Sequence, residues 1–240
     1  MEKKIAMEFE PKLVKAIFVE RLNRFAAAVE IEGKIATAHV PSSGRLKELL
    51  VPGANVWIQP ASGPKRKTAF TLEIVQAGNG TLVSIDTGTT NRLVKLALLN
   101  KAIRQFQHCS DVKPESVYRS SRLDFAIDCE GTRTWIEVKS VTLVRDGVAL
   151  FPDAPTDRGR RHMAELEHIA RSGEGACALF LIQRDDANRF APNIDQDPAF
   201  ASALASAARA GVRILAFSCK VTPNSIAANF GKDVPVEIPT

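Results

Sequence analysis

Several features that mark other classes of protein are missing from this sequence. None of the four cysteines forms a C-x-x-C pair, so neither a zinc ribbon nor a thiol redox motif is indicated, and we expect Cys177 and Cys219, which stand in apolar runs, in the core. No stretch approaches the roughly 20 apolar residues of a membrane-spanning helix. The charged start, Met1 to Lys4, is not followed by the apolar segment of a signal peptide. These absences favour a soluble protein without a membrane partner, and we expect it in the cytoplasm.

The composition is that of a folded protein with a small excess of positive charge. Hydrophobic residues make up 45% of the 240 residues and charged residues 25%, which is enough apolar material for a sizeable core. A formal net charge of +5 permits contact with the phosphates of a nucleic acid but does not require it.

Short strands separated by turn signals dominate residues 1–87. A short helix is predicted at 44–50, where Pro52-Gly53 stops it. The predicted strands cover residues 14–20, 25–31, 34–40, 54–59, 68–76 and 82–86. Such a run of strands with one short helix predicts a small β-barrel, for which an OB-fold is the natural candidate.

The pattern changes at Thr87-Gly88-Thr89-Thr90, which we take as the boundary between domains 1–87 and 88–240. Beyond it, helices are predicted at 91–105, 157–172 and 198–210, a hairpin at 122–141, and buried strands at 176–182 and 212–217. This order predicts a mixed sheet flanked by helices. The fold class is therefore α/β in two domains.

The predicted hairpin is the most informative segment. If it turns at Glu130-Gly131, Asp124 lies opposite Glu137. The period of two then separates an apolar face from a polar one. The apolar face holds Leu123, Phe125, Ile127, Ile136 and Val138, and the polar face holds Asp124, Asp128, Glu137 and Lys139.

Opposed carboxylates on a sheet repel each other unless a cation lies between them. Mg²⁺ and Mn²⁺ prefer oxygen ligands and use one or two carboxylates together with water and phosphate, so we expect Asp124 and Glu137 to bind one of them. Lys139, on the same face, can orient an attacking water or stabilise charge on the phosphate. Asp124, Glu137 and Lys139 thus form a candidate catalytic set for phosphodiester hydrolysis. The alternative is an ordinary solvated strand face, because an E-x-K tripeptide is common by chance.

This arrangement resembles the PD-(D/E)xK restriction-endonuclease-like superfamily, and longer strings resemble the sugar fermentation stimulation protein A family over most of the chain. These strings are Pro41-Ser42-Ser43-Gly44-Arg45, Thr90-Asn91-Arg92-Leu93, Ser121 to Phe125, Glu137 to Leu143, Phe151-Pro152-Asp153-Ala154, and Arg158-Gly159 followed by His162 and Glu165-Leu166.

The resemblance implies an N-terminal OB-like barrel, a C-terminal nuclease-like domain and DNA binding, with double- or single-stranded DNA left open. It gives Asp124 and Glu137 the metal positions and Lys139 the catalytic one. Nuclease-like domains often carry an acidic residue on the first helix, where this chain has Lys95-Leu96. That departure implies that one metal ligand is missing.

Further candidates are basic residues placed to contact nucleic acid: Arg45, Lys65, Arg66, Lys67, Arg92, Arg158, Arg161 and His162. Lys65 to Lys67 form a loop between barrel strands, where a solvated loop is the alternative. Trp57 and Phe70 are candidate stacking platforms, although buried barrel aromatics are more usual. For Arg161 and Glu165 the alternative is a surface salt bridge at i, i+4. Asp153 is a candidate metal ligand or a turn residue.

Two functions follow from these observations. One is a DNA-binding protein with a divalent-metal-dependent phosphodiesterase site that affects sugar metabolism through regulation. The other is a non-catalytic DNA-binding regulator in which the site is vestigial. A sugar-metabolic enzyme is a remote third reading, because the sequence has no cofactor loop or sugar-phosphate motif.

Overall fold

The computed structural model describes residues 4–61, 68–119 and 121–239. The strands before residue 87 are β1 (Lys4–Glu8), β2 (Val14–Asn23), β3 (Ala26–Ile31), β4 (Lys34–His39), β5 (Asn55–Pro60), β6 (Phe70–Gln76) and β7 (Leu82–Ser84). Strands β2 to β6 form a closed barrel, because β4 pairs with β6 as well as with β3. The predicted OB-like domain is thereby confirmed.

Alternation along the barrel strands separates the barrel core from its outer surface. On β5, Val56 and Ile58 are fully buried inside the barrel. Trp57, between them, packs on the outside against the core of the second domain. The barrel is thus joined to the second domain through an outward-facing strand position.

The predicted helix at 44–50 is wrong, because this segment forms turns. Leu46 has a positive φ of 51°, and its backbone N–H donates to Asp153 Oδ2 at 3.1 Å. Arg21 Nη1 donates to the carbonyls of Gly44 at 2.9 Å and Arg45 at 2.6 Å. Contacts distant in sequence therefore override the local helical preference.

The remaining strands are β8 (Cys109–Tyr118), β9 (Ser121–Cys129), β10 (Thr132–Val141), β11 (Leu143–Arg145), β12 (Val148–Phe151), β13 (Gly175–Ile182), β14 (Arg189–Pro192), β15 (Arg213–Val221) and β16 (Ser225–Asn229). The helices are α1 (Thr87–Leu99), α2 (Asp157–Arg171) and α3 (Pro198–Arg209), with a 3-10 helix at Arg104–Phe106. The predicted helix 91–105 thus begins earlier and ends earlier than expected.

A seven-stranded mixed sheet organises the second domain, in the order β1-β16-β15-β13-β10-β9-β8. Strands β10, β13 and β15 are parallel to one another, whereas the outer pairs are antiparallel. A small sheet, β11-β12-β14, lies apart from it. The predicted mixed sheet flanked by helices is confirmed.

The first strand corrects the predicted domain division. β1 pairs with β16 from Lys4–Asn229 to Glu8–Ser225, at the edge of the second domain's sheet. Assigning residues 4–8 to the barrel unit was therefore wrong, because these pairings lie far apart in sequence and leave no local pattern. The barrel is an insertion between β1 and the rest of its sheet.

Two apolar layers cover the sheet. On the face toward α1, called the α1 face, the core includes Cys177, Leu179 and Leu181 of β13. On the face toward α2 and α3, called the α2 face, it includes Ala178 and Phe180 of the same strand.

The cysteines divide into a bonded pair and two free thiols. Cys177 and Cys219 are free and buried, as predicted. Cys109 and Cys129, opposed on β8 and β9, form a disulfide that the sequence reasoning did not predict.

The helices of the described residues include none that is both long and apolar enough to cross a bilayer.

A polar junction fastens the barrel to the second domain on the side of β7. The side chains of Asn79 and Thr81 donate to Asp186 Oδ2 at 2.8 and 3.2 Å. Arg184, almost wholly buried, donates to both oxygens of Asp186 at 2.6 Å and to the Thr142 carbonyl at 3.2 Å. Partial burial alone would raise the pKa of Asp186, but the hydrogen bonds from Arg184 and Asn79 lower it to about 2.

Candidate functional site

A cleft of about 450 Å³ lies where the barrel meets the second domain. One wall is the barrel turn around Ser42 to Leu46, with Arg24 beside it. The opposite wall holds Asp124 of β9 and Glu137 and Lys139 of β10, with Asp153 and Arg158 at the segment that leads into α2. The predicted catalytic residues thus face a shared cavity.

The hairpin register agrees with the prediction up to the site and then changes. Phe125 pairs with Ile136, and Cys129 pairs with Thr132, as the turn at Glu130-Gly131 requires. Beyond Phe125–Ile136 the β9–β10 ladder ends. There, Asp124 Oδ2 accepts from the backbone N–H of Val138 at 2.8 Å, so a side chain replaces the backbone partner.

The same break moves Leu123 to the other layer. Phe125, Ile127, Ile136 and Val138 lie in the α1-face core, as predicted. Leu123 is fully buried in the α2-face core instead, so its predicted place beside Phe125 is wrong. The regular alternation does not hold across Asp124, where the ladder is interrupted.

Glu137 and Lys139 lie on the α2 face, where His162 of α2 reaches them. Glu137 is 3% exposed, and its Oε1 accepts from Lys139 Nζ at 2.5 Å and from His162 Nδ1. Lys139 Nζ lies 3.3 Å from His162 Nδ1. Oε2 of Glu137 is buried without a hydrogen-bond partner among the described residues. Oε1 therefore accepts two hydrogen bonds, whereas Oε2 is available to a further ligand.

The two carboxylates differ in their protonation equilibria. Burial and the negative charge of Glu137 raise the pKa of Asp124 above its ordinary value, although hydrogen bonds from Val138 and Asn91 oppose this. Burial would also raise the pKa of Glu137, but the hydrogen bond from His162 and the charge of Lys139 hold it below its ordinary value. Glu137 is thus ionised, and its charge works against ionisation of Asp124.

This donor set fits a hard divalent cation. The two carboxylates face one cleft, one carboxylate oxygen has no partner, and the repulsion between the carboxylates is relieved by positive charge. No group of three or more His, Cys, Asp or Glu side chains with metal-binding geometry occurs in residues 4–61, 68–119 and 121–239. A cation held here would therefore take its other ligands from water or substrate, as Mg²⁺ commonly does.

Helix α1 contributes a neutral side chain to the site. Asn91 Nδ2 donates to Asp124 Oδ1 at 2.8 Å. No acidic residue occurs between residues 87 and 99, so Lys95-Leu96 is not compensated elsewhere on this helix. Asn91 stands in the Thr90-Asn91-Arg92-Leu93 string, but the sequence reasoning gave it no role at the carboxylates.

A second polar group, behind the site, was also missed. Gln183 is fully buried just after β13, and its Nε2 donates to Thr90 Oγ1 and to Ser140 Oγ. Thr90 and Ser140 both line the cleft. A glutamine at the end of an apolar strand was the available signal, because a buried amide requires partners.

The arginines among the predicted nucleic-acid contacts differ in their ion pairing. Arg45, Arg158 and Arg161 are exposed, and none has an ion-pair partner among the described side chains. Arg92 forms an ion pair with Asp86, the N-cap of α1, at 2.9 Å. Lys65, Arg66 and Lys67 lie outside the described residues.

His162, predicted as a nucleic-acid contact beside the hairpin, lies against the carboxylates, and its contact with nucleic acid stays a prediction. It is 6% exposed, faces inward from α2, and bonds to Glu137. Helical spacing alone did not show which face of α2 meets the carboxylates.

The other secondary candidates are positioned by packing. Asp153 lines the cleft but accepts from the backbone N–H of Leu46, and a Cβ on Gly44 would lie 2.7 Å from its Oδ2. Trp57 and Phe70 are half-buried, each packed against an apolar core, as is usual for barrel aromatics. Arg161 and Glu165 form no ion pair within the described part of the chain, so the predicted surface salt bridge is absent there.

Two family models match successive segments of the chain. Residues 19–85 match the description "SfsA N-terminal OB domain", and residues 88–225 match "Sugar fermentation stimulation protein RE domain". Curated relatives named sugar fermentation stimulation protein homolog include one from Desulforamulus reducens, 44% identical over 95% of this chain and 94% of the relative. Another, from Acetivibrio thermocellus, is 45% identical over 97% of this chain and 100% of the relative.

A solved structure extends the likeness to the whole fold. The structure of Pyrococcus furiosus SfsA in complex with Ca²⁺ matches with a TM-score of 0.88 and 31% identity, over 99% of this chain and 100% of that one. With the barrel, the mixed sheet and two family matches in agreement, this chain belongs to the sugar fermentation stimulation protein family.

Proposed function

We propose that this protein binds DNA and hydrolyses phosphodiester bonds at Asp124, Glu137 and Lys139 with the help of Mg²⁺ or Mn²⁺. The observation that carries the proposal is Glu137, a deeply buried carboxylate on the cleft with one oxygen left without a partner among the described residues. A carboxylate buried in this way is costly unless it has a ligand.

The similarity to a relative solved with Ca²⁺ supports the proposal that this protein binds a divalent cation. The Pyrococcus furiosus protein was solved in complex with Ca²⁺, and Ca²⁺, like Mg²⁺, takes oxygen ligands. In this chain Asp124 and Glu137 would hold the cation, which supplies positive charge against the phosphate.

The remaining roles belong to the protein's own side chains. Lys139, only partly exposed beside Glu137, is placed to stabilise negative charge on a phosphate in the cleft. His162 fixes Oε1 of Glu137, and Asn91 with the Val138 N–H fixes Asp124. These contacts preorganise the carboxylates, which is the protein's main contribution in a metal-assisted hydrolysis.

A second candidate function is a DNA-binding regulator without cleavage, and two observations favour it. Oε1 of Glu137 is already bonded to Lys139 and His162, and the charge of Lys139 compensates part of the carboxylate's charge without a metal ion. Helix α1 brings no acidic residue to the site. On this reading the cation, if bound, is structural.

The test combines thermal melting with cleavage of a labelled oligonucleotide. Mn²⁺ or Mg²⁺ should raise the melting temperature of the wild type by linkage. Asp124→Asn and Glu137→Gln should remove most of that rise and abolish cleavage. Lys139→Ala should abolish cleavage while the rise persists. Asp128→Asn is the matched control, because Asp128 lies on the same strand outside the cleft and serves the turn at Gly131.

Three outcomes separate the readings. Metal-dependent cleavage that is lost in the three site variants and kept in the control supports the nuclease. A metal-dependent rise without any cleavage supports the regulator. The absence of any metal effect on the wild type would leave only a charged strand face.

A further inference from the structure

An exposed cluster of an arginine, a phenylalanine and a histidine, here called the barrel platform, stands on the barrel at the turn between β2 and β3. It consists of Arg24, Phe25 and His39. Phe25 is 48% exposed, and its ring stacks on that of His39 at 6.5 Å with 25° between the planes. The Arg24 guanidinium lies 5.3 Å from the centre of the Phe25 ring.

Hydrogen bonds hold the barrel platform in place although it is open to solvent. Asn23 Oδ1 accepts from the backbone N–H of Phe25 at 2.9 Å, and Arg21 Nη2 donates to the Arg24 carbonyl at 2.6 Å. His39 Nδ1 lies 3.0 Å from the carbonyl oxygen of Phe25. These bonds restrain the backbone of the turn, which reduces the conformational entropy lost when a ligand binds there.

Its position connects the barrel platform with the carboxylates. Arg24 lines the same cleft as Asp124 and Glu137. Arg158 lines the cleft from the opposite domain and is exposed. A strand whose base rests on Phe25 thus meets positive charge along its path to the site.

The chemistry of the barrel platform selects among nucleic acids. Bases inside a duplex stack on each other, whereas unpaired bases are free to stack on aromatic rings without sequence preference. A cleft of about 450 Å³ has the size of a small-ligand pocket, which favours a single strand over a duplex as its occupant.

Resting on the proposed function, we infer that the barrel platform binds an unpaired base of single-stranded DNA and directs the adjoining phosphate into the cleft. The substrate is then a single strand or a duplex with a single-stranded end. Phe25 supplies the stacking surface, His39 packs against its ring, and Arg24 contacts phosphate.

Other exposed apolar side chains lack this arrangement and serve as controls. Val117 of β8 is 66% exposed and has no aromatic or cationic stacking partner among the described residues. Its truncation removes exposed apolar surface from the second domain without touching the barrel.

The experiment measures binding of a fluorescent oligothymidine and of a matched blunt duplex, by anisotropy, without divalent metal. Phe25→Ala should weaken single-strand binding about tenfold, within the range typical of one stacked base, and change duplex binding less than about twofold. Phe25→Trp should restore single-strand binding, and its fluorescence should fall on binding. Val117→Ala should change neither affinity. Melting temperatures of all variants should match the wild type, because both side chains are exposed.

Three results would overturn the inference. They are an unchanged single-strand affinity in Phe25→Ala, an equal loss for both oligonucleotides, or the same loss in Val117→Ala. The outcome is independent of cleavage. A selective loss of single-strand binding in Phe25→Ala supports the barrel platform even if the wild type cleaves nothing. If the wild type cleaves DNA but Phe25→Ala binds single strands as tightly as the wild type does, the barrel platform is rejected and the proposed function is not.

Discussion

On the two faces of the strands β10 and β13, the same backbone supports opposite kinds of packing. Toward α1, the side chains of Ile136, Val138 and Leu179 form a continuous apolar layer. Toward α2, Glu137 lies opposite Ala178 and Lys139 opposite Phe180, so charged and apolar positions adjoin. On this second face, Glu137 and Lys139 line the cleft between the domains.

The difference shows how a site is built into a core. One face contributes stability through burial, whereas the other gives up part of that stability to hold charged groups in fixed positions. His162 and Lys139 offset the burial of Glu137, and nothing among the described residues satisfies its Oε2. The comparison therefore predicts that substitutions on the two faces change different properties.

The largest effect is expected on the apolar face. Leu179→Ala removes a fully buried side chain, and such truncations cost about 3 kcal/mol. Urea denaturation should show this loss in the free energy of unfolding. The metal-dependent rise in melting temperature should persist in the variant, and its disappearance would show that the two faces are not independent.

The junction at Asp186 contrasts with the site at Glu137, because both carboxylate oxygens of Asp186 accept hydrogen bonds. Asp186→Asn leaves Arg184 buried without its charged partner and should cost about 2 kcal/mol near neutral pH, less than a wholly buried pair because Asp186 is partly solvated. The pKa of Asp186 is lowered from 3.8 to about 2. Its charge therefore stabilises the fold fully when the pH is above 3.8, and this stabilisation is lost as the pH falls toward 2.

Denaturation of the wild type and of Asp186→Asn at several pH values measures this contribution. The difference between them should be largest at neutral pH and shrink as the pH falls from about 4 toward about 2. A difference that is constant over this range would mean that the charge of Asp186 does not contribute.

A substitution at His162 should mainly weaken the binding of the cation. His162→Gln removes the bond that orients Glu137 and should weaken Mn²⁺ binding about tenfold, as for other residues that hold a metal ligand in place. Calorimetric titration measures the affinity. His168→Gln, further along the same helix and away from the carboxylates, is the control and should leave the affinity unchanged.

The smallest effect is a gain of stability. Asp124→Asn removes the repulsion with Glu137 and should stabilise the metal-free protein by up to about 1 kcal/mol, because Asn91 can rotate its amide to pair with the new side chain. The raised pKa of Asp124 means that ionisation costs stability, and this cost vanishes as pH falls through that pKa. The advantage of the variant should therefore decrease in acid, and an advantage that grows in acid would contradict the stated repulsion.

Local patterns predicted the hairpin well, whereas the contacts around it were less accessible. Alternation and the Glu130-Gly131 turn gave the register of Phe125 with Ile136 correctly. The same pattern failed at Leu123, because Asp124 interrupts the ladder by bonding to Val138. A period of two contains no information about where a side chain replaces a backbone partner.

Long-range pairings were missed for the same reason. Leu46 was assigned to a helix, but Asp153, 107 residues away, holds its backbone N–H. Nothing in the sequence around Cys109 and Cys129 placed the two cysteines opposite each other. His162 was predicted as a nucleic-acid contact and not as a partner of Glu137, since the face that α2 turns toward the sheet depends on the whole domain.

The pairing of β1 with β16 has a consequence for biosynthesis. A ribosome releases residues 4–8 before the barrel and residues 225–229 after it, so this edge of the sheet is completed only after the barrel has been made. The barrel strands are close in sequence and are able to close while the rest is still being made. Until residues 225–229 have been made, β1 has no strand to pair with. Both ends of the barrel segment then lead into a sheet that is completed after the barrel.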